Sequence, residues 1–309
     1  MKLLHLGLCG NGHPYNNLQD EMSARFDYCE VSLHHPELEK HALDMAKRFK
    51  PDAIFIQVQS GGRISAKFAE ALSKESLVIN WTGDVRSPIP DWYKDLAPYC
   101  VTMFTNMNDV KEMTSLGFKS DYLQIGYDPN IFNPSALPSA DHDVVMLANN
   151  YNNAFPLSKY RIDVVNALRE EFKDRFGLYG TGWQKCNGNV NNSQILEAGI
   201  YAGSKIAISC SHFEYERYFS DRLLRSMGVG KAMVISHNYP GINADFADNT
   251  LETFMDIEDL ILQCKAYLRN EEARKFMVRQ GWEYVSSNYT FKQMVENLET
   301  LINKWKNTK

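Results

Sequence analysis

Short apolar runs alternate with amphipathic stretches along the first half of the chain. Two of the stretches, Glu37–Phe49 and Ile64–Leu72, have apolar residues at helical spacing. A regular alternation of strands and helices is typical of a parallel sheet that helices cover on both faces. The pattern therefore predicts a doubly wound α/β domain over residues 1–130. Its predicted strands are Leu3–Leu8, Tyr28–Leu33, Ala53–Val58, Leu77–Trp81, Val101–Thr105 and Tyr122–Ile125.

The same pattern restarts after a segment rich in proline. Residues 127–141 contain Pro129, Pro134 and Pro138 and show no periodicity, which is typical of a linker, and we assign residues 131–141 to it. A second α/β domain is predicted over residues 142–285. Its predicted elements are the strands Val144–Leu147, Phe176–Tyr179, Lys205–Ser209 and Lys231–Ile235 and the helices Lys159–Phe172 and Asp221–Met227.

The last segment, residues 286–309, carries a helix with one apolar stripe. From Phe291 to Trp305 the apolar residues recur at three- and four-residue intervals, so one face must be buried. The helix could pack on its own domain or on the first one. We expect it to return to the amino-terminal domain.

Composition and charge narrow the class of protein. The chain has 309 residues, 44% of them hydrophobic, and a formal net charge of −5, which gives no global attraction to nucleic acid or anionic lipid. The charge-free run Val144–Ser158 is too short and too polar to cross a bilayer. The six cysteines form no C-x-x-C pair, and no histidine spacing indicates a metal site. With no cleavage-site pattern near the amino terminus, we expect a soluble, cytoplasmic protein.

A glycine-rich segment, Gly10 to Tyr15, follows the first predicted strand. As a dinucleotide fingerprint it fails, because Tyr15 stands where G-x-G-x-x-G requires its third glycine. It could be a tight turn or a loop that faces substrate. In the second interpretation Gly12 lies near the donor, and His13 is a catalytic candidate that could hydrogen-bond a hydroxyl or a phosphate.

Asp84 is the second catalytic candidate. It follows the predicted strand that ends at Trp81, and ligands of doubly wound sheets bind at the carboxyl ends of strands. Asp84 could act there as a general base or bind a hydroxyl group. The alternative is that it only closes a turn.

Candidate ligand-binding residues of the second domain follow its first two strands. Asn150 comes after the first strand, and Lys159 and Arg161 lie on the next helix, where a cation could neutralise a phosphate or be merely solvated. The turn after the second strand contributes four candidates, which are Gly180, Thr181, Gly182 and Trp183.

The strongest candidate is the helix that begins after Ser220. With Ser220 at its N-cap, the next amides could bind phosphate oxygens, aided by the helix dipole. Arg222 is unfavourable in the first turn of a helix unless an anion lies beside it. Arg222, with Asp221 and Arg225 from the same helix, therefore joins the candidate site.

Residues 144–291 resemble the GT-B glycosyltransferases of the spore maturation CgeB type. Single motifs are short, but their order and spacing extend over half the chain. In sequence order, the matching residues are Asn149-Asn150, Gly180–Trp183, Ser220–Arg222, Gly228–Val234, Pro240-Gly241, Asp245-Phe246, Leu268–Arg274, Gly281 and Tyr289–Phe291.

The resemblance implies two Rossmann-like domains that face each other across a cleft. It implies transfer of a sugar from a nucleoside-diphosphate donor, UDP-linked in our interpretation, without a cofactor or a metal. The candidates of the second domain would bind this donor, and residues 1–130 would hold the acceptor. The acceptor could be a polysaccharide, a protein, a small molecule or modified nucleic acid. A nucleotide-sugar epimerase of the same fold and a non-catalytic binding module are the alternatives.

The chain departs from the family at one important position. Related enzymes place a glutamate at the position of Arg225 to bind the donor ribose, and in some a second glutamate lies where this chain has Arg217. An arginine donates hydrogen bonds but cannot accept them as a carboxylate does. Three explanations remain at this stage: an unusual donor, loss of donor binding, or ribose binding by another carboxylate. The carboxylates in question are Glu214, Glu216 and Asp221.

Overall fold

The structure of the protein is a computed structural model that describes residues 1–8, 16–190 and 193–308. The chain divides into two compact units. Unit 1 comprises Met1–Ile125 and Phe291–Lys309, and unit 2 comprises Gly126–Thr290. The proline-rich segment belongs to unit 2, where the Ser139 amide donates a hydrogen bond to the Gly199 carbonyl at 2.9 Å.

The described part of unit 1 is a six-stranded parallel sheet with the strand order β2-β1-β3-β4-β5-β6. Its strands are β1 (Lys2–Gly7), β2 (Asp27–Ser32), β3 (Ala53–Ile56), β4 (Leu77–Thr82), β5 (Val101–Phe104) and β6 (Ser120–Tyr122). The connecting helices are α1 (Asn16–Arg25), α2 (Leu38–Phe49), α3 (Ala66–Glu75), α4 (Asp91–Leu96) and α5 (Met107–Ser115). Every residue of β3 and β5 is buried, as expected for central strands that helices cover on both faces.

Strand β6 begins and ends earlier than the apolar run predicts. Leu123 and Ile125 are buried beyond the end of the strand. The Leu123 carbonyl accepts a hydrogen bond from the indole nitrogen of Trp81 at 2.8 Å. The apolar run therefore marks a buried segment, of which only the first part pairs as a strand.

Unit 2 is a five-stranded parallel sheet in the residues described, with the strand order β11-β10-β9-β7-β8. Its strands are β7 (His142–Leu147), β8 (Phe176–Tyr179), β9 (Ser204–Ser209), β10 (Met233–His237) and β11 (Glu252–Phe254). Its helices are α6 (Ser158–Phe172), α7 (Gln194–Ala202), α8 (Asp221–Gly228), α9 (Ile242–Asp245), α10 (Ile257–Arg269) and α11 (Glu271–Asn288). The two sheets confirm the predicted class, a pair of Rossmann-like α/β domains.

The last helix, α12 (Phe291–Lys306), packs in unit 1. Its apolar stripe is buried there, and Asp121 accepts bonds from Lys304 at 2.6 Å and from the Trp305 indole at 3.0 Å. The helix therefore returns to the amino-terminal unit, as we expected. Its buried residues are Phe291, Met294, Val295, Leu298 and Ile302. In the part of the chain that the structure describes, no helix is both long enough and apolar enough to cross a lipid bilayer.

Removing side-chain volume from this stripe should destabilise unit 1. Leu298 is fully buried, and Leu298→Ala should lower the free energy of unfolding by about 2–5 kcal/mol because it leaves a cavity. Asn303→Ala, at an exposed position of the same helix, is the control and should have little effect. Denaturant titration measures both. Equal unfolding midpoints for the two variants would show that the helix is only an appendage.

Candidate functional site

The loops after β7, β8 and β9 follow the carboxyl ends of three adjacent parallel strands. In an open α/β sheet this edge is where ligands bind. The loops carry the candidate residues of unit 2, so the sheet order brings together motifs that lie up to 70 residues apart in sequence.

Hydrogen bonds join the loop after β7 to the turn after β8. The Asn150 amide donates to the Thr181 carbonyl at 2.8 Å, and the Thr181 amide donates to Oδ1 of Asn149 at 3.0 Å. The Trp183 indole donates to the Ala148 carbonyl at 2.7 Å. The predicted donor-binding turn is thus held by the loop after β7. The backbone groups of Thr181 and the indole N–H of Trp183 already have hydrogen-bond partners within the protein.

Both glycines of this turn are required by the backbone. Gly180 and Gly182 have φ angles of 141° and 80°, which L side chains rarely adopt. A Cβ atom at Gly180 would overlap the carbonyl oxygen of Ala148, and one at Gly182 would overlap that of Asn150. Close packing of two loops is therefore sufficient to explain these glycines.

Helix α8 begins with amides that its N-cap side chain does not cap. Ser220 is extended at the N-cap, but its hydroxyl accepts no bond from the first turn. Leu223 and Leu224 are buried, whereas Asp221 and Arg222 on the first turn are partly exposed. The positive end of the helix dipole and the Arg222 side chain lie at the same place, which favours an anion there.

Arg161 on α6 is a buried cation of the same unit. Its side chain makes no hydrogen bond or ion pair with any residue that the structure describes, and its Nε atom is fully buried. The pKa of the guanidinium is lowered to about 10, mainly by burial and in part by the nearby cation of Arg222. Arg161 is only 8% exposed, so the fold carries an uncompensated charge beside Arg222.

Aromatic rings from the loops after β7 and β9 lie around this charge. The His212 ring lies 5.3 Å from Tyr151 and 5.1 Å from Phe155, between ring centroids. Burial lowers the pKa of His212 to about 4, and the Arg161 cation contributes. His212 is therefore neutral at pH 7, and its buried Nε2 atom has no partner among the described residues.

Lys159, the predicted phosphate ligand of α6, lies elsewhere. Its side chain is 81% exposed and pairs with Asp163 at 2.8 Å. Two successive positions such as 159 and 161 are separated by about 200° around a helix, so they face opposite sides. Arg161, the other basic candidate of this helix, takes the buried position.

Arg217 and Arg225, the two arginines at which the sequence departs from the resemblance, are each bound to a carboxylate. Arg217 donates to the buried Asp245 through Nε at 2.9 Å and through Nη2 at 2.8 Å. Arg225 pairs with Asp221 at 2.6 Å and with Glu197 at 3.3 Å. The arginines are thus part of local ion pairs.

The catalytic candidates of unit 1 are partly described. Asp84 lies just after the end of β4, is 72% exposed and pairs with Arg86 at 3.3 Å. Arg86 also donates to Gln59 at 2.8 Å and to Thr82 at 3.1 Å, so it orders the loop around Asp84. Gly12 and His13 lie outside the described residues.

Comparison with known proteins agrees with this architecture. Residues 161–300 match the model of a family described as glycosyl transferase-like. The match covers most of unit 2 and the first residues of α12. No protein of curated function matches the chain by sequence.

Solved structures match the whole chain at low sequence identity. A glycosyltransferase from Rickettsia africae superposes with a TM-score of 0.67 at 14% identity, covering 98% of both chains. HepE of Anabaena, in complex with UDP-glucose, gives 0.66 at 11% identity and covers 98% of this chain and all of its own. Sucrose-phosphate synthase from Thermosynechococcus elongatus gives 0.66 at 9% identity, covering both chains fully. The chain therefore has the GT-B glycosyltransferase fold.

The glycine turn provides a test of how the loops are held. Gly182→Ala should destabilise the protein by about 1–3 kcal/mol, because the new Cβ atom meets a carbonyl oxygen at a positive φ. Gly188→Ala is the matched control in the same loop, since its Cβ atom would make only ordinary contacts with Tyr179. Thermal unfolding compares them, and equal losses would refute the packing explanation.

Proposed function

We propose that this GT-B glycosyltransferase holds the diphosphate of a nucleotide-sugar donor between Arg161, Arg222 and the first amides of α8. The observation that carries the proposal is Arg161, a buried cation without a counter-ion in the described residues. A charge of this kind costs several kcal/mol of stability unless an anion compensates it. A diphosphate beside Arg161 and Arg222 would supply that compensation when the donor binds.

The same groups suit the chemistry of glycosyl transfer. The bond between the sugar's anomeric carbon and the diphosphate oxygen breaks, and negative charge grows on that oxygen. Donors and cations already fixed at this position stabilise the charge without reorganisation. Two arginines and the helix amides would do this, so we propose a reaction that needs no metal ion.

We further propose a UDP-linked donor and a CgeB-type enzyme. The ordered motifs from Asn149 to Phe291 support the family type. Anabaena HepE, which shares the fold, was solved with UDP-glucose, and this supports uridine as the first nucleoside to test.

Replacing Arg161 should separate ligand binding from stability. Arg161→Met removes the charge but retains an apolar stem, and UDP affinity should fall about ten- to hundredfold. The ligand-free protein should unfold at the same or a higher temperature, because an uncompensated buried charge is gone. Isothermal titration with UDP and thermal unfolding measure the two effects.

Lys159→Met is the control, since Lys159 pairs with Asp163 on the opposite face of α6. It should bind UDP like the parent. A well-folded Arg161→Met protein that also binds UDP like the parent would refute the proposed diphosphate site.

Turnover distinguishes the proposed enzyme from its alternatives. We expect the protein to release UDP from a UDP-sugar as the sugar moves to an acceptor or, slowly, to water. A nucleotide sugar that is isomerised with no second substrate present would identify an epimerase instead. Binding without any turnover across a broad set of acceptors would identify a binding module.

A further inference from the structure

Three charged side chains form a continuous chain at the start of α8. Arg225 stands between two carboxylates, with Asp221 at 2.6 Å on one side and Glu197 at 3.3 Å on the other. The exposure of the side chains falls along this chain, from 27% at Asp221 to 5% at Glu197. One end of the chain therefore reaches the surface, and the other is anchored in the interior of unit 2.

The inner end holds Arg225 in place. Glu197 lies in the first turn of α7, and its burial raises its pKa while the Arg225 cation opposes that rise. The Arg225 guanidinium also lies 5.5 Å from the ring centre of Phe132. Contacts from α7 and from the segment before β7 thus fix a long side chain that would otherwise be mobile.

The outer end presents a carboxylate oxygen. Arg225 contacts Oδ2 of Asp221, and no residue that the structure describes donates to Oδ1. A carboxylate accepts hydrogen bonds and donates none. Asp221 is therefore oriented by its partner and has capacity left for a ligand that donates.

Arg222, the residue after Asp221, indicates which ligand donates to Asp221. Asp221 directly precedes Arg222, where the diphosphate is proposed to lie, and a bare carboxylate there would repel it. Arg225 offsets that charge, so Asp221 can stand beside an anion. Every nucleoside diphosphate carries the neutral hydroxyl groups of its ribose close to the phosphates, whichever sugar is transferred.

We propose that Asp221 binds the ribose hydroxyls of the donor and that Arg225 and Glu197 are positioning residues that hold it. The inference rests on the proposed function. It gives the arginine at position 225 a role, because the accepting carboxylate lies one helical turn, about 6 Å, nearer the start of α8. Ribose recognition then persists without a glutamate at position 225.

The test compares UDP with 2′,3′-dideoxy-UDP by isothermal titration. The parent protein should bind UDP about ten- to hundredfold more tightly, since only UDP can donate to Asp221. Asp221→Ala should bring the two affinities close to one another. Arg161→Met should weaken both nucleotides by the same factor and keep their ratio.

The positioning residues have a readout of their own. Arg225→Met should also remove most of the preference for UDP, because Asp221 loses its orientation, and Arg225→Lys should restore part of it. Glu197→Gln should lower the preference less, since the amide oxygen can still accept from Arg225. Lys159→Met, on the opposite face of α6, is the control and should keep the parent's ratio. Melting temperatures of the ligand-free variants show that each is folded.

The outcomes separate the two proposals. If the parent binds both nucleotides equally and Arg161→Met weakens both, the diphosphate site stands and the ribose assignment is wrong. If the parent binds neither nucleotide, the proposed function itself fails. A folded Arg225→Met protein that keeps the parent's ratio would refute the positioning role.

Discussion

A buried positive charge governs the arrangement of the carboxyl edge of unit 2. Arg161 lies among aromatic rings and has no counter-ion in the described part of the chain, although Arg222 lies close by. Two cations at short range are stable only if the surroundings tolerate them or an anion joins them. His212 is neutral beside them, because burial lowers its pKa to about 4 and the Arg161 cation contributes. The aromatic rings add no negative group, so the local charge stays available for a ligand.

Two other arginines of this edge are balanced within the protein. Arg217 is bound to Asp245, and Arg225 to Asp221 and Glu197. The contrast with Arg161 is informative, because the same fold neutralises two arginines with buried carboxylates and leaves a third without one. Carboxylates thus compensate Arg217 and Arg225 but not Arg161, which lies where the loops of the sheet edge meet the start of α8.

The hydrophobic pattern predicted most of the fold because burial on both faces of a sheet demands continuous apolar runs. The predicted strand Phe176–Tyr179 agrees with the structure at both ends, and the stripe of α12 required a partner surface. The prediction of β6 from the run Tyr122–Ile125 was wrong in position, because the buried residues continue beyond the last residue that pairs as a strand. Helices α1 and α7 were not predicted. The apolar residues of α7 include the exposed Ile195 and Leu196, so they do not mark one buried face.

The sequence predicted where the candidate site lies better than it predicted which residues form it. Strand ends indicated which loops meet, but sequence alone does not show which of Lys159 and Arg161 turns inward, because that depends on the rotation of α6 against the sheet. Glu197 gave no signal, since a lone acidic residue in a helix is usually solvated. Only the packing of α7 against α8 makes it a partner of Arg225.

The glycine turn and the arginines serve different purposes at the same edge. Gly180 and Gly182 let the backbones after β7 and β8 approach until their carbonyl and amide groups bond directly. These hydrogen bonds use the polar groups of the turn and hold it rigid. In the proposed site, ligand recognition depends on side chains outside this turn, which are Arg161 from α6 and Asp221 and Arg222 from α8. A rigid backbone that carries a few charged side chains is the arrangement that fixes an anionic ligand with little loss of conformational freedom.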